Sequence, residues 1–432
     1  MAAVPLFLLL MASSLSAVDR STVLQPIEPI DLPPSIQQGV DMMYIDPEIA
    51  PSLKERDADL AEIAPGREPG TPVDMLTPVN PLYTELRRTL VRYQMNWSGL
   101  PDVQIPAGPM LKPGAKGERV SVLRERLGLK PGDAYDAELA KKVRAYQESH
   151  GIKADGVAGE ATIQSLNLGP LRHERLIQIN LERALRLPSV AEKGRYVVVD
   201  AGGARIYLFE DGKVLDSMKA IVGKPETATP MMAAKLRYAS VNPYWNVPPE
   251  LIQGLIAPKV IAGGVTYLEE RGYEVFSDWT EEAQKLDPAT VDWQAAAAGT
   301  SDIRVRQQPG GANSMGAIKF MMPNDFGIYL HDTPDKSGFQ KDDRWISNGC
   351  VRVEDAKRLA TWLFGDMPKG SDPKVEEKVD LAEPVPVYIT YLTVGAGKDG
   401  AVFRKDPYSR DKELLARYFG APAQTAALSL QR

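Results

Sequence analysis

"HDTPDKSGFQKDDRWISNGCVRVEDA", residues 331–356, contains the only cysteine of a 432-residue chain, Cys350, and one of its three histidines, His331. A thiol is nucleophilic only as its thiolate, and a nearby imidazole can accept the thiol proton. The segment therefore favours an active cysteine–histidine pair. The alternative left open by the residues alone is a buried structural thiol near a strand-end histidine.

The residues before His331 predict that it ends a strand. In "FGIYLH", residues 326–331, apolar side chains alternate. A period of two places Ile328 and Leu330 in the core, and Tyr329 and His331 together on the other face.

The residues around Cys350 favour acyl chemistry. Gly349 permits a tight backbone, so the amides of Gly349 and Cys350 can form an oxyanion hole. Arg352 shares the face of Cys350 if this stretch is extended, and its guanidinium can bind a substrate carboxylate.

The C-terminal half predicts a mainly-β domain. Residues 195–223, "RYVVVDAGGARIYLFEDGKVLDSMKAIVG", contain three β-prone runs separated by Gly-Gly and Asp-Gly turns, which predict a meander. Further strand-like runs are "LRYASVNPYWNV", "AIKFMM" and "VPVYITYLTV". Residues 249–304 lean towards helix and predict one sizeable insertion.

The N-terminal half predicts helices. Leu82, Leu86, Leu90 and Tyr93 have helical spacing, and residues 109–169 predict a compact three-helix module. The apolar stripes of its first two helices are Val120, Leu123 and Leu127, then Leu139, Val143 and Tyr146, with Gly128 ending the first helix and Asp136 capping the second. We expect His150 to be a cap or surface residue and His173 to face solvent.

The first 80 residues predict export followed by a spacer. Residues 1–17 combine a short apolar run with small residues, which is typical of a signal peptide or an uncleaved anchor. Ten prolines between residues 21 and 80 predict a mostly extended tether, because proline interrupts helices and central strands.

Composition excludes several classes of protein. A net charge of -6 without a basic segment argues against a nucleic-acid partner. A single cysteine excludes an intramolecular disulfide and a cysteine-rich zinc site. His331 is the only histidine of the β-rich half, so a two-histidine zinc peptidase site cannot form there.

Two sets of motifs resemble known families. The stretch "IKFMMPNDFGIYLHDTP", followed by "SNGCVRV", closely resembles the YkuD-type L,D-transpeptidase signature of a histidine followed by Ser-x-Gly-Cys-x-Arg. "IVGKPETATP", "NPYWNVPP", "RVRQQPGGANSMGAIKF" and "EPVPVYITYLTV" support it. The helical module, above all "DGVAGEAT" at 155–162, resembles a peptidoglycan-binding module. Together they resemble the long Gram-negative L,D-transpeptidases.

The resemblance implies an α+β multidomain chain: a mainly-β, YkuD-like sandwich or barrel with a helical insertion, plus a small three-helix peptidoglycan-binding module. The expected divisions are a signal peptide or anchor (1–17), a Pro-rich disordered tether (18–80), scaffold helices (81–108 and 170–192), the peptidoglycan-binding module (109–169), the catalytic domain (193–410) with an insertion or lid (about 249–304), and a C-terminal tail (411–432).

The resemblance also implies roles for individual residues. Cys350 would be the nucleophile, His331 its general base, steadied by a backbone carbonyl, and Arg352 the group that orients a substrate carboxylate. The remaining implied site residues are Ser347, Asn348 and Gly349, which would shape the nucleophile loop, and Tyr329 and Trp245, which would line the cleft. Many family members carry histidine where this chain has Asn348. No metal or cofactor is implied.

The implied reaction is 3→3 cross-linking of peptidoglycan in the periplasm. A thioester would form with a donor tetrapeptide stem, D-alanine would leave, and the side-chain amine of an acceptor stem would resolve the thioester. The alternatives are an L,D-carboxypeptidase that trims tetrapeptides, attachment of outer-membrane protein N-termini to the wall, and a non-enzymatic wall adaptor. Carbapenem-type compounds are expected to acylate Cys350.

Overall fold

A computed structural model of the chain describes residues 41–50, 79–397 and 400–420. The predicted leader and most of the predicted tether lie outside these residues. Within the described ranges, no helix has both the length and the apolar character needed to cross a membrane. The described chain divides into two compact units, one formed by Trp245–Gln308 and the other by the remaining residues.

The longest α-helices of the described chain lie in its N-terminal half. In chain order they are α1 (Pro81–Tyr93), α2 (Glu118–Arg126), α3 (Ala137–Ser149), α4 (Glu160–Leu168), α5 (Pro170–Leu185), α6 (Pro249–Leu251), α7 (Ala257–Gly263), α8 (Thr266–Glu269), α9 (Trp293–Ala298), α10 (Ala356–Phe364) and α11 (Arg410–Phe419).

The β-strands lie mostly in the C-terminal half. In chain order they are β1 (Met43–Tyr44), β2 (Arg195–Asp200), β3 (Arg205–Glu210), β4 (Lys213–Gly223), β5 (Met232–Val241), β6 (Trp245–Asn246), β7 (Tyr273–Phe276), β8 (Lys285–Leu286), β9 (Arg304–Gln307), β10 (Ile318–Met321), β11 (Leu330–His331), β12 (Trp345–Ser347), β13 (Val351–Val353), β14 (Glu377–Thr390), β15 (Val394–Ala396) and β16 (Ala401–Phe403).

The larger unit is built on a closed β-barrel. Strands pair in the order β5, β10, β11, β13, β4, β3, β2 and β14, and β14 then pairs back onto β5. The meander β2–β3–β4 forms where the two predicted turns separate the Val/Ile/Tyr-rich runs. Val197 and Val199 point into the barrel core, whereas Tyr196 and Val198 pack in a second cluster outside it. Burial on both faces explains the unbroken apolar run of β2.

Part of the predicted tether belongs to this barrel. Strand β1 pairs in parallel with β5, Met43 reaches the barrel core, and Asp46 forms an ion pair with Arg237. The prediction of a disordered spacer over 18–80 is therefore wrong for residues 41–50. A short apolar strand among prolines is stabilised by a sheet edge that the local composition does not reveal.

The N-terminal helical module has the predicted stripes. The side chains predicted for α2 and α3 are all buried, and the carboxylate of Asp136 accepts a hydrogen bond from the Leu139 N–H as the N-cap of α3. The buried guanidinium of Arg126 donates to the carbonyl oxygen of Leu166 at 2.8 Å, which joins α2 to the end of α4. These helices share one hydrophobic cluster with α1, α5 and the β15–β16 hairpin.

Of the two histidine predictions, the cap role of His150 is confirmed and the solvent-facing position of His173 is corrected. His150 is the C-cap of α3, but it is buried, and His173 is buried rather than solvent-facing. The His150 ring stacks on Tyr146 with centroids 3.7 Å apart and lies 4.9 Å from the ring of His173. His173 also packs edge-on against Phe403, which arrives from a distant part of the chain.

Acid is expected to destabilise the fold through this histidine pair. Burial lowers the pKa of His173 to about 4, and burial together with the neighbouring His173 holds the pKa of His150 well below its ordinary value. Between about pH 6.5 and pH 4, the unfolded chain binds protons that the folded chain does not. The contribution of these neutral histidines to stability is therefore fully present above pH 6.5 and is lost as the pH falls. Between pH 7 and pH 4, His173 alone should lower the free energy of unfolding by about 3 kcal/mol.

Urea unfolding, monitored by circular dichroism at pH 7 and at pH 4, measures this loss of stability. Because carboxylates also protonate in this range, the informative comparison is with His173→Gln, whose stability should fall less than that of the wild type. An equal fall in both proteins would contradict the assignment.

The predicted C-terminal tail begins with a helix. Residues 410–419 form α11, which packs against α5, so the prediction of a tail from residue 411 is corrected for 411–419. The link is a buried ion pair in which the Arg183 guanidinium lies 2.6 Å from the Asp411 carboxylate. Asp411 also accepts a hydrogen bond from the Thr393 hydroxyl at 3.0 Å.

Removing one member of the buried pair is expected to be costly. Asp411→Asn should lower the free energy of unfolding by about 3 kcal/mol, because Arg183 would keep its charge without a carboxylate partner. Glu85→Gln, which breaks the exposed Arg88–Glu85 pair, should change it by less than about 0.5 kcal/mol. Similar urea midpoints for Asp411→Asn and the wild type would refute this assignment.

The smaller unit contains more strand than the sequence predicts. Helices α6 to α9 accompany a four-stranded sheet in the order β6, β9, β7 and β8. Glu274 on β7 pairs with Lys285 on β8 and Arg306 on β9, and these partners hold its pKa at about 2 although partial burial acts in the opposite direction. The lid role of about 249–304 stays a prediction.

Candidate active site

Two short parallel strands of the barrel bring the histidine and cysteine segments together. Leu330 pairs with Val351 and His331 with Arg352. The Val351 N–H donates to the Tyr329 carbonyl oxygen at 3.1 Å, which extends the register so that Cys350 lies beside Tyr329. Cys350 therefore lies two residues before Arg352, the residue that pairs with His331.

The strand that ends at His331 is shorter than predicted. Only Leu330 and His331 are in strand conformation, and Gly327 has a φ of 61°. The Asn324 carboxamide oxygen accepts hydrogen bonds from the N–H groups of Phe326 and Ile328, at 3.0 and 3.1 Å. This side chain holds residues 324–328 in a turn, in place of the first part of the predicted strand.

The Cys350 thiol is protonated at rest. Its sulfur donates to the carbonyl oxygen of Gly327 at 3.5 Å. Burial raises the pKa of Cys350, while contacts with Tyr329 and the positive charge of Arg352 act in the opposite direction. The net effect favours the neutral thiol at neutral pH.

The His331 imidazole is neutral and held in one orientation. Its side chain is buried, and Nδ1 lies 2.5 Å from the backbone carbonyl oxygen of Asp332. Because a carbonyl only accepts, Nδ1 carries the proton and Nε2 keeps the lone pair. Burial, followed by the charge of Arg352, lowers the pKa of His331 to about 3.

The carboxylate of Asp332 is occupied elsewhere. Its oxygens accept hydrogen bonds from the Ala317 N–H at 3.0 Å and from the Lys336 ammonium at 2.7 Å. Asp332 therefore contacts the imidazole through its backbone carbonyl, and its side chain joins the end of β11 to neighbouring segments.

The nucleophile loop leaves the Cys350 amide available. Gly349 has a φ of 118°, which favours glycine, and its N–H donates to the Ser347 hydroxyl at 3.2 Å. That hydroxyl donates to the Cys350 carbonyl at 2.6 Å, while the Asn348 side chain is exposed. Among the described residues, no hydrogen bond from the Cys350 N–H is found. Of the two predicted oxyanion-hole donors, Cys350 is the one with a free N–H.

Arg352 and Tyr329 flank the pair. Arg352 is half-buried, and its Nε has no hydrogen-bond partner in the described part of the chain. The Tyr329 hydroxyl donates to the sulfur of Met315 at 3.4 Å, and its ring lies 5.7 Å from that of His331. Burial and the neighbouring Cys350 raise the pKa of Tyr329 well above its usual value.

Trp245 belongs to the smaller unit. Its side chain is buried there, on β6, with its ring 6.3 Å from that of Tyr273. The cleft-lining role predicted for Trp245 stays a prediction.

Sequence reasoning missed three groups of the site. They are the Gly327 carbonyl, which contacts the thiol, the Met315 sulfur, which contacts Tyr329, and the Thr229 hydroxyl, which contacts Gly349. The first is a backbone acceptor, which residue identity does not reveal. The other two lie in the motifs "RVRQQPGGANSMGAIKF" and "IVGKPETATP", and the resemblance of these motifs to the family was the available signal. Within the described residues, no cluster of three or more His, Cys, Asp or Glu side chains could hold a metal ion.

Comparisons with known proteins agree with the motifs. Residues 194–387 match the YkuD family, described as the L,D-transpeptidase catalytic domain, and residues 122–166 match the family described as "Putative peptidoglycan binding domain". A Haemophilus influenzae protein named "Putative L,D-transpeptidase" is 31% identical over 262 residues, which cover 59% of this chain and 52% of that protein. The chain thus spans about half the length of this curated relative.

Solved structures give weaker similarities. An L,D-transpeptidase from Xylanimonas cellulosilytica is 17% identical, with 66% of this chain and 98% of that chain covered and a TM-score of 0.21. An L,D-transpeptidase from Mycobacterium smegmatis is 15% identical, with 45% and 58% covered and a TM-score of 0.22. At such scores they add no weight, and the assignment rests on the sequence matches. The similarity therefore consists of a region that matches the YkuD L,D-transpeptidase catalytic domain, residues 194–387, preceded by a region that matches a peptidoglycan-binding domain, residues 122–166.

Proposed function

We propose that this protein is a cysteine-dependent L,D-transpeptidase that forms 3→3 cross-links in peptidoglycan. The observation that carries the proposal is the pairing of β11 with β13, which brings the Cys350 and His331 segments side by side, together with the Asp332 carbonyl, which holds the His331 imidazole through Nδ1. The pair lies inside the matched catalytic domain.

In the first half-reaction, the sulfur of Cys350 attacks the carbonyl carbon of the third stem residue of a donor tetrapeptide. The thiol proton passes to Nε2 of His331, and the same nitrogen returns it to the amine of D-alanine as the C–N bond breaks. A thioester remains on Cys350. In the second half-reaction, the side-chain amine of an acceptor stem attacks the thioester and the thiol is restored.

The protonation states require proton transfer to accompany the attack. Both partners are neutral at rest, since burial raises the pKa of the Cys350 thiol and lowers that of His331. The positive charge of Arg352 contributes to the low pKa of His331. A substrate carboxylate bound at Arg352 would offset this charge, so the imidazole would become more basic when substrate is present.

The negative charge that develops on the substrate carbonyl oxygen needs a hydrogen-bond donor to stabilise it. The Cys350 N–H meets that need, because it belongs to the nucleophile itself and has no partner among the described residues. A preorganised donor of this kind stabilises the tetrahedral intermediate without reorganisation during the reaction.

The wider setting follows from the same proposal. The module matched at residues 122–166 would hold the enzyme on the wall, and the site of action would be the periplasm. A carbapenem would acylate Cys350, because its strained lactam presents the thiol with a reactive carbonyl. Trimming by an L,D-carboxypeptidase shares every step up to the thioester, and attachment of an outer-membrane protein differs only in the acceptor amine.

Product analysis separates cross-linking from trimming and from a non-enzymatic wall adaptor. The protein is incubated with purified tetrapeptide muropeptides, and the products are identified by mass spectrometry. Cross-linked dimer with release of D-alanine is expected. Free tripeptide alone would favour trimming, and unchanged substrate would favour a wall adaptor and refute the proposal.

A further inference from the structure

We propose that Thr229 is a positioning residue that orients the oxyanion-hole amide of Cys350. The inference rests on the proposed function and deepens it. Thr229 lies near the end of the "IVGKPETATP" segment, which begins in the last residues of β4, and it is 120 positions along the chain from Gly349 of the nucleophile loop.

The Thr229 hydroxyl bridges two backbone groups. It donates to the Gly349 carbonyl oxygen at 2.7 Å and accepts from the Gly223 N–H at 2.9 Å. The side chain has no exposed surface. The hydroxyl thus joins the flexible glycine of the nucleophile loop to the end of β4, a strand in the barrel wall.

The geometry of the peptide group passes this constraint to the catalytic amide. The Gly349 carbonyl and the Cys350 N–H belong to the same planar peptide unit, and in a trans peptide they point in opposite directions. A hydrogen bond that fixes the carbonyl therefore fixes the direction of the N–H. Gly349 needs such a restraint, because a glycine at a φ of 118° has other backbone conformations within easy reach.

The residues behind Thr229 brace it against the C-terminal segment. The Tyr408 hydroxyl donates to the Gly223 carbonyl at 2.6 Å and accepts from the Thr229 N–H at 3.4 Å. The Arg410 guanidinium donates to the Thr229 carbonyl at 3.2 Å and lies 4.8 Å from the Tyr408 ring. Thr229 and Gly223 are therefore both held by side chains that lie outside the motif.

Two reactions of the same thiol separate positioning from simple structural support. Acylation by imipenem develops charge on a carbonyl oxygen, whereas alkylation by iodoacetamide does not. In Thr229→Val, which keeps the side-chain shape and removes the hydroxyl, acylation should slow by about 100-fold, which is the scale of a lost oxyanion-hole donor. Alkylation should stay within about twofold, since it depends on thiol ionisation and access.

Thr229→Ser is the matched control, because it retains the hydroxyl, and its acylation rate should return to near the wild-type rate. Equal loss of acylation and alkylation in Thr229→Val, or no loss of either, would overturn the proposal. Circular dichroism checks the fold. If Thr229→Val does not fold, Tyr408→Phe replaces it, with an expected loss of about tenfold in acylation alone; unchanged acylation there overturns the proposal.

The wild-type protein shows whether the underlying function itself fails. If the wild type is alkylated at Cys350 but never acylated, the transpeptidase proposal fails, and the role of Thr229 fails with it. If the wild type is acylated and Thr229→Val is acylated equally fast, only the role of Thr229 is refuted.

Discussion

Cys350→Ala is expected to abolish formation of both cross-linked dimer and free tripeptide, with a loss of at least about 10⁴-fold in turnover. The covalent route has no substitute nucleophile, because Cys350 is the only cysteine of the chain. Mass spectrometry should also show that the acyl adduct formed by the wild type with imipenem is absent from the variant.

The variant must be shown to fold and to bind the wall. Cys350→Ala should co-sediment with purified peptidoglycan as the wild type does, because the module at residues 122–166 is unchanged. Cys350→Ser adds a stricter comparison. It keeps a nucleophilic atom in the same place, yet a buried hydroxyl is far harder to ionise than a thiol, so turnover should again be very low. Turnover near the wild-type level in Cys350→Ala would rule out the thioester mechanism.

Local sequence predicted the parts of the fold that local interactions decide. The Asp136 cap and the β2–β3–β4 meander depend on residues close in sequence, and both were predicted. His173 was misplaced because its polar neighbours "HERLIQ" suggest solvent, whereas the partners that bury it, such as Phe403, come from far along the chain. Strand β1 was missed for the same reason.

At the site, too, some features follow from local sequence and others depend on contacts between distant segments. Residue types and spacing singled out Cys350 and His331, and the strand pairing brings their segments together. The groups that tune them are backbone atoms, such as the carbonyls of Gly327 and Asp332. A backbone oxygen is present at every residue, so its position can be known only from the fold. Thr229 lay within a recognised motif, but its contact with Gly349 joins segments that the sequence does not relate.

His331→Asn is expected to lower turnover at pH 7 by about 10²- to 10⁴-fold, the usual contribution of a general base. Asparagine can place its amide nitrogen near the position of Nδ1 and donate to the Asp332 carbonyl, so the local hydrogen bond is retained. What the variant lacks is Nε2 and its lone pair. His331→Ala, which loses the hydrogen bond as well, should be at least as impaired.

The pH profile distinguishes loss of the base from loss of structure. In the wild type, the pKa of His331 is about 3 and burial raises the pKa of the thiol, so kcat/KM should be level between about pH 5 and pH 8. In His331→Asn only thiolate formed without assistance can react, so the residual rate should rise about tenfold for each pH unit from 7 towards 9. A preformed thiolate–imidazolium pair would instead give the wild type a bell-shaped profile that declines at alkaline pH, because the thiolate raises the pKa at which the imidazolium loses its proton. A variant profile parallel to that of the wild type would show that His331 does not accept the thiol proton, because a residue that only supports the loop would lower the rate equally at every pH.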